Sequence, residues 1–193
     1  MNHAVIIRMH YPECEAFYKR LELFRSVCLP SFEAQTDKDF DIVVVCNEIH
    51  KHHFDYSIHP DVRSFYGDGL RDIKSKSVAP FDYELPHVIQ TRLDSDDFVS
   101  PDFIETIHAN QDVDMLCFKP IKVKGKDRYR VIAPDYKVSQ FLSVKGKGFI
   151  YKYGHRSWWK HVDTWKVIDF GYCFLSVHNG NASTKIRGSD ERI

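Results

Sequence analysis

The chain's 193 residues and 22.7 kDa suffice for one sizeable core and fall short of two comfortable domains. With 43% apolar, 14% aromatic and 28% charged residues, the composition excludes disordered, collagen-like and coiled-coil chains. Lys and Arg number 27, as do Asp and Glu, so the whole chain is not a polyelectrolyte binder, yet residues 119–160 hold 12 Lys or Arg against only Asp127 and Asp135. That leaves this segment about +10 and the remainder about −10, which predicts one face that attracts anions.

In chain order, Ala4-Val-Ile-Ile7 is a continuous apolar run, as expected of a strand covered on both faces. After Pro12, the three-and-four spacing of Phe17, Leu21, Phe24 and Cys28 predicts a helix, which Pro30 interrupts before another short turn. Phe40-Asp-Ile-Val-Val-Val-Cys46 reads as a second buried strand ending at Asn47-Glu48, and a weaker strand spans 62–66. A β-favouring run at 87–93 ends in the acidic cluster Asp94-Ser-Asp-Asp97. Ser100-Pro101-Asp102 supplies a cap, a Pro at the first helical position and an early acid, predicting a helix through about Ala109. Residues 114–118 return to strand. Beyond Lys119, short β-like runs punctuated by Gly125, Pro134, Gly146, Gly148 and Gly154 suit an antiparallel lobe. The strand, helix, strand order implies a mainly parallel three-layer sheet.

The five cysteines are widely spaced with no C-x-x-C pair, which fits a reduced intracellular chain with buried thiols better than a disulfide scaffold or a zinc module. Four apolar residues before Arg8 are far short of a signal peptide or a membrane span. The expectation is a soluble, cytoplasmic chain, compatible with peripheral contact to a membrane.

In an open α/β sheet, ligands bind at the carboxyl ends of strands, and Asp94, Ser95, Asp96 and Asp97 lie where a strand stops and a helix begins. Several carboxylates on so short a turn repel one another, so their natural partner is a hard divalent cation such as Mg²⁺ or Mn²⁺, completed by an oxygen-rich ligand such as a diphosphate. A merely solvated acidic turn carries equal weight. An EF-hand register that places Asp94, Asp96 and Glu105 at positions 1, 3 and 12 fails, because Val99 stands where the loop needs Gly and Pro101 lies inside it. A two-metal phosphoesterase would need a second carboxylate and histidine cluster, for which the chain offers no obvious candidate.

Gln35-Thr-Asp-Lys-Asp-Phe-Asp-Ile-Val-Val-Val45, followed by Gln90-Thr-Arg-Leu-Asp-Ser-Asp-Asp-Phe-Val-Ser-Pro-Asp102, resembles a GT-A glycosyltransferase related to family 2, and within that group a rhamnosyltransferase family with a T-R-L-D-x-D-D stretch. Phe174-Leu-Ser-Val-His-Asn-Gly-Asn-Ala-Ser183 is similar to the W-L-x-V-H-G-x-N-x-S ending of the same group. The resemblance implies one GT-A-like domain over 1–193, a three-layer α/β/α fold with a nucleotide-binding half at 1–118 and an acceptor-side half, the smaller antiparallel lobe, at 119–193. It also implies transfer of a sugar from a nucleotide-diphosphate donor to a hydroxyl acceptor such as a glycan, with Mn²⁺ or Mg²⁺ as cofactor.

Carried over residue by residue, the resemblance makes Asp96 the first choice as metal ligand, with Asp97 the alternative if the register is offset by one. Asp94 would face the ribose or share the metal. His178 matches a late histidine that completes the metal site in some members; a strand-end histidine bonded to backbone has equal standing. Arg92 would pair with the donor phosphates or with Asp94. Arg71 and Lys74, with Lys76, precede the acidic strand and would steady the leaving group, although a solvated loop is the simpler reading. An inverting enzyme needs a carboxylate base, and Asp163 lies in the segment where family 2 enzymes carry theirs; a surface charge is the plainer account. Asn47-Glu48 replaces the acidic pair common after the second strand, which leaves the donor's base undetermined.

Tyr129, Tyr136, Phe141, Phe149, Tyr151, Tyr153, Trp158 and Trp159 interleave with the basic residues of 119–160. A plain amphipathic β-lobe explains this most simply, a sugar acceptor next, and nucleic acid least, since no recognised nucleic-acid-binding motif occurs. His50, His52, His53 and His59 lack a matching Cys or Asp set and read as a surface loop. Neither a P-loop nor a dinucleotide fingerprint is present. The competing function class is a non-catalytic carbohydrate-binding or scaffold protein of the same fold.

Overall fold

In the computed structural model, which describes residues 2–9, 13–46, 48–54, 63–66, 88–131, 139–146, 150, 156–178 and 186–193, the N-terminal apolar run is strand β1 (His3–Met9). Val5, Ile7 and Met9 join the larger core cluster with Phe17, Leu21 and Phe32, while Ala4 and Ile6 turn to a second cluster with Val43, Met115, Leu142 and Trp158. Both faces of β1 are therefore covered, which is why its sequence shows no polar alternation.

Beyond β1 come helix α1 (Glu15–Leu23), a π-helical turn (Phe24–Cys28) and helix α2 (Leu29–Glu33). Pro30 lies in the first turn of α2, as expected of a Pro that opens another short turn, but it does not interrupt the helical path. The Leu29 N–H reaches back five residues to the Phe24 carbonyl, and this widened turn accommodates a ring that an ordinary α-turn would press against a carbonyl.

Strands β2 (Asp41–Cys46) and β3 (Arg63–Tyr66) follow, then β4 (Ile89–Asp94), and all pair in parallel in the order β3-β2-β1-β4. After the two-residue β5 (Phe98–Val99), helix α3 (Phe103–His108) starts later than Ser100-Pro101 predicts. The Ser100 hydroxyl donates to Asp102 Oδ1 (2.6 Å) rather than to the helix, and Asp102 makes no side-chain cap. The cap arrives from a distance instead. Gln35 Oε1 accepts the Ile104 N–H at 3.0 Å, while Gln35 Nε2 donates to the Ser31 and Ser100 carbonyls at 2.8 and 2.7 Å.

The remaining strands are β6 (Met115–Lys124), β7 (Asp127–Arg130), β8 (Leu142–Lys145), β9 (Trp165–Ser176) and β10 (Glu191–Arg192). β6 and β7 form a hairpin turned at Gly125, whose φ of 60° is one that side chains disfavour. β8 inserts antiparallel between β4 and β6, and β9 runs parallel to β6 on its other edge. β6 carries the chain straight past residue 119, so the early parallel strands and later antiparallel ones share one open, mixed sheet. Because β4, β6 and β9 point the same way, the carboxyl ends of β1, β4 and β9 lie along one edge.

At the opposite end of the sheet, buried His3 joins three elements. Asp37 Oδ2 lies 2.6 Å from His108 Nδ1, His108 Nε2 lies 3.0 Å from His3 Nδ1, and His3 Nε2 lies 2.8 Å from the Thr91 hydroxyl. A carboxylate only accepts, so with neutral rings His108 Nδ1 donates to Asp37 and His3 Nδ1 donates to His108.

Candidate functional site

β4 delivers the acidic turn to that carboxyl edge. The Asp97 N–H donates to the Asp94 carbonyl at 3.1 Å, closing a turn in which Asp96 is 2% and Asp97 3% exposed, while Asp94 is more open. Charged groups this deep require partners. Asp96 Oδ2 lies 2.9 Å from His178 Nε2, and its Oδ1 is met by the Arg20 guanidinium from α1. Asp97 faces inward: its Oδ1 accepts the Ser176 N–H at 3.0 Å, and Gln140 Nε2 lies 3.5 Å from its Oδ2. Burial, then the neighbouring Asp96 and Asp94, hold the Asp97 carboxyl well above the usual carboxylate range, against the Ser176 bond and Arg20. The Ser95 hydroxyl is buried without a hydrogen-bond partner among the described residues.

Beneath the turn lie Cys28 and Cys173. Burial raises both thiols well above their ordinary value; the three aspartates raise Cys28 further, and Asp97 raises Cys173. The carboxylates thus rest on an apolar floor built from the π-turn and β9.

The structure brings together Asp94, Asp96, Asp97, Arg92 and His178. Arg92 is largely buried, with Nη2 3.7 Å from Asp94 Oδ1. His178 meets a carboxylate through its Nε2. Asp163 is not brought in. It precedes β9, at the end of the sheet away from the turn, where its N–H donates to Asp114 Oδ2 at 2.9 Å. Arg71 and Lys74 lie outside the described residues. Arg20, Gln140 and Ser176 are the partners that sequence reading missed; Arg20, on the polar side of a helix beside Leu21, carries no signal that separates it from a solvated charge.

His50 is buried, stacked on Phe17 with ring centroids 3.5 Å apart, rather than in a surface loop. Its segment is a 3₁₀ turn, Glu48–His53, laid against α1; His59 lies outside the described residues. Trp158 is core, its indole N–H donating to the Ile150 carbonyl at 2.7 Å. Among the described residues, no three His, Cys, Asp or Glu are grouped so as to hold a metal ion by themselves, and no helix is long and apolar enough to cross a membrane.

The solved structure of S. aureus TarS 1–349 in complex with UDP-GlcNAc matches 96% of this chain and 62% of its own length, with a TM-score of 0.62 at 13% identity. The fold is GT-A-like. The UDP complex of TarS 1–349 matches 92% of this chain and 61% of its own, with a TM-score of 0.58 at 14% identity. The chain therefore spans about three-fifths of the TarS 1–349 structures that it matches. A family model described as "Putative rhamnosyl transferase" matches residues 7–58, which hold the end of β1, the helical path that carries Arg20, then Gln35, and the whole of β2. No curated protein matches the chain.

As to a divalent cation, a hydrogen bond between a histidine and a carboxylate holds a proton that a metal ion can replace, so Asp96 and His178 fit as one oxygen and one nitrogen ligand. A divalent ion held there would keep further positions for water and phosphate oxygens.

Proposed function

We propose that the chain is a glycosyltransferase that binds a nucleotide-diphosphate sugar at the acidic turn and transfers the sugar to a hydroxyl acceptor. The observation that carries this reading is the convergence of Asp96 and His178, 82 residues apart, at the carboxyl edge of a GT-A-like sheet. TarS, which shares the fold, was solved with UDP-GlcNAc and with UDP, and the family model that matches 7–58 describes rhamnosyl transfer.

In this reading Asp96 and His178 hold Mn²⁺ or Mg²⁺, and Asp94, the outermost carboxylate, shares the ion or faces the ribose. Asp97, turned inward, shapes the turn instead. The cation would offset the negative charge that develops on the departing nucleoside diphosphate. Arg20 and Arg92 add positive charge beside the same carboxylates, and Arg71 and Lys74 stay candidates for the donor phosphates. Asp163, at the far end of β9, has no part in the step. A cytoplasmic setting suits the five cysteines, none of which is in a disulfide.

The test is a nucleotide-sugar screen by thermal shift and calorimetry, with UDP first, with and without Mn²⁺. Cation-dependent binding that D96N abolishes supports the reading. Absence of cation-dependent binding by any nucleoside diphosphate overturns it, and glycan binding without turnover of donor would favour a non-catalytic carbohydrate-binding protein.

A further inference from the structure

A second charged surface begins where the acidic turn ends. Residues 119–130 carry six Lys or Arg against one acid, Asp127. Strand register sorts these cations. Arg128 pairs with Val123 and Arg130 with Ile121, so both project on the face that Lys119 shares, whereas Lys122 pairs with Tyr129 on the other face and is buried against Asp190 at 2.6 Å.

On the first face, β9 presents two phenylalanines. Lys119 Nζ lies 5.2 Å and Arg130 Cζ 5.5 Å from the Phe170 ring centroid, and Arg128 Cζ lies 5.8 Å from that of Phe174. Phe174 stacks on Phe98, with centroids 4.8 Å apart and planes 7° from parallel. Phe98 directly follows Asp97, so the strip of rings and cations starts beside the turn and leads away from it along β9.

A cation resting on a ring is held in place without losing its outward N–H groups, so less freedom is lost when an anion binds. Asp169 lies 3.2 Å from Lys119 and Glu191 3.8 Å from Arg130, while Arg128 makes no ion pair among the described residues. Exposed pairs of this kind are weak enough for a better anion to displace. Rings suit the apolar faces of sugars, and fixed cations at intervals suit charges repeated along a chain.

We propose that this strip is the acceptor track, and that the acceptor is an anionic glycan bearing phosphate, sulfate or carboxylate groups. The word acceptor rests on the transferase reading above; the binding surface does not.

The experiment measures binding of the full chain to a sulfated dextran oligosaccharide, a neutral dextran of equal length and an oligothymidylate, for wild type, R128Q/R130Q and K124Q/K126Q. Each double variant removes two cations, so a general charge effect would weaken both equally. The expected result is loss of sulfated-dextran affinity by about tenfold in R128Q/R130Q, with little change in K124Q/K126Q and no binding of neutral dextran. Equal losses in both variants, equal affinity for neutral dextran, or tighter binding of the oligothymidylate through the same arginines would each overturn the proposal. R128Q alone repeats the comparison if the double variant is unstable. UDP binding with Mn²⁺ should be unchanged in R128Q/R130Q, and its loss would assign these arginines to the donor and overturn the track. A wild type that binds sulfated dextran through these arginines but no UDP would overturn the donor reading and leave a glycan-binding surface.

Discussion

Asp96 sits between two partners, His178 Nε2 at 2.9 Å from Oδ2 and the Arg20 guanidinium on Oδ1. Arg20 is permanently charged and mostly buried, whereas the His178 side chain is 28% exposed. R20M should therefore cost about 3 kcal/mol in urea unfolding, because it strands a buried carboxylate, and H178A about 1 kcal/mol. Equal losses would mean that Arg20 is not the main counter-charge.

Asp97 offers a different contrast. D97N keeps an oxygen for the Ser176 N–H and removes repulsion from Asp96 and Asp94, so its stability should equal or exceed that of the wild type. D97A leaves that N–H without its acceptor and should lose about 1–3 kcal/mol. Calorimetry adds a second readout: D97N should retain cation-dependent nucleotide binding and D96N should not. The reverse outcome would shift the metal ligand by one residue.

Gln35 makes three hydrogen bonds that tie α2, the Ser100 corner and the first turn of α3 together. Gln35→Ala should lower the unfolding midpoint by an amount equivalent to about 1–3 kcal/mol. Gln35→Glu should not rescue it, since a carboxylate cannot donate to the Ser31 and Ser100 carbonyls. Wild-type stability in both variants would show that the corner holds without this side chain.

Thiol chemistry reports on the floor beneath the turn. Cys14 is exposed, and Cys28, Cys46, Cys117 and Cys173 are buried. A raised thiol binds its proton to higher pH, so the reactive thiolate of Cys28 and Cys173 is scarce in the folded chain. Iodoacetamide at about pH 8 should label Cys14 alone, with the other four labelled after unfolding. Native labelling of Cys28, read by peptide mass spectrometry, would contradict the buried floor.

Much of the fold was legible because the period of apolar residues is set by the faces a strand or helix buries. The unbroken runs at Ala4-Val-Ile-Ile7 and Ile42-Val-Val-Val-Cys46 announced strands covered twice, and the 17, 21, 24, 28 spacing announced the helix. Two local signals misled. Pro30 is compatible with a helix once a π-turn precedes it, and Ser100 bonds Asp102 because Gln35 already satisfies the helix start; both outcomes depend on neighbours remote in the chain.

The acidic turn, too, was readable as a site, since four polar residues after a β-favouring run place carboxylates at a sheet edge whatever surrounds them. Which carboxylate faces outward was not. Asp94, Asp96 and Asp97 are chemically alike in one dimension, and their difference arises only when α1 brings Arg20, β9 brings Ser176 and His178, and Gln140 closes over Asp97. The same holds for Asp163, which strand direction carries to the opposite end, and for the linked Asp37, His108, His3 and Thr91. Periodicity is a property of consecutive residues and survives in the sequence; the partners of a buried charge are chosen by strand direction and helix packing, which only the assembled sheet supplies.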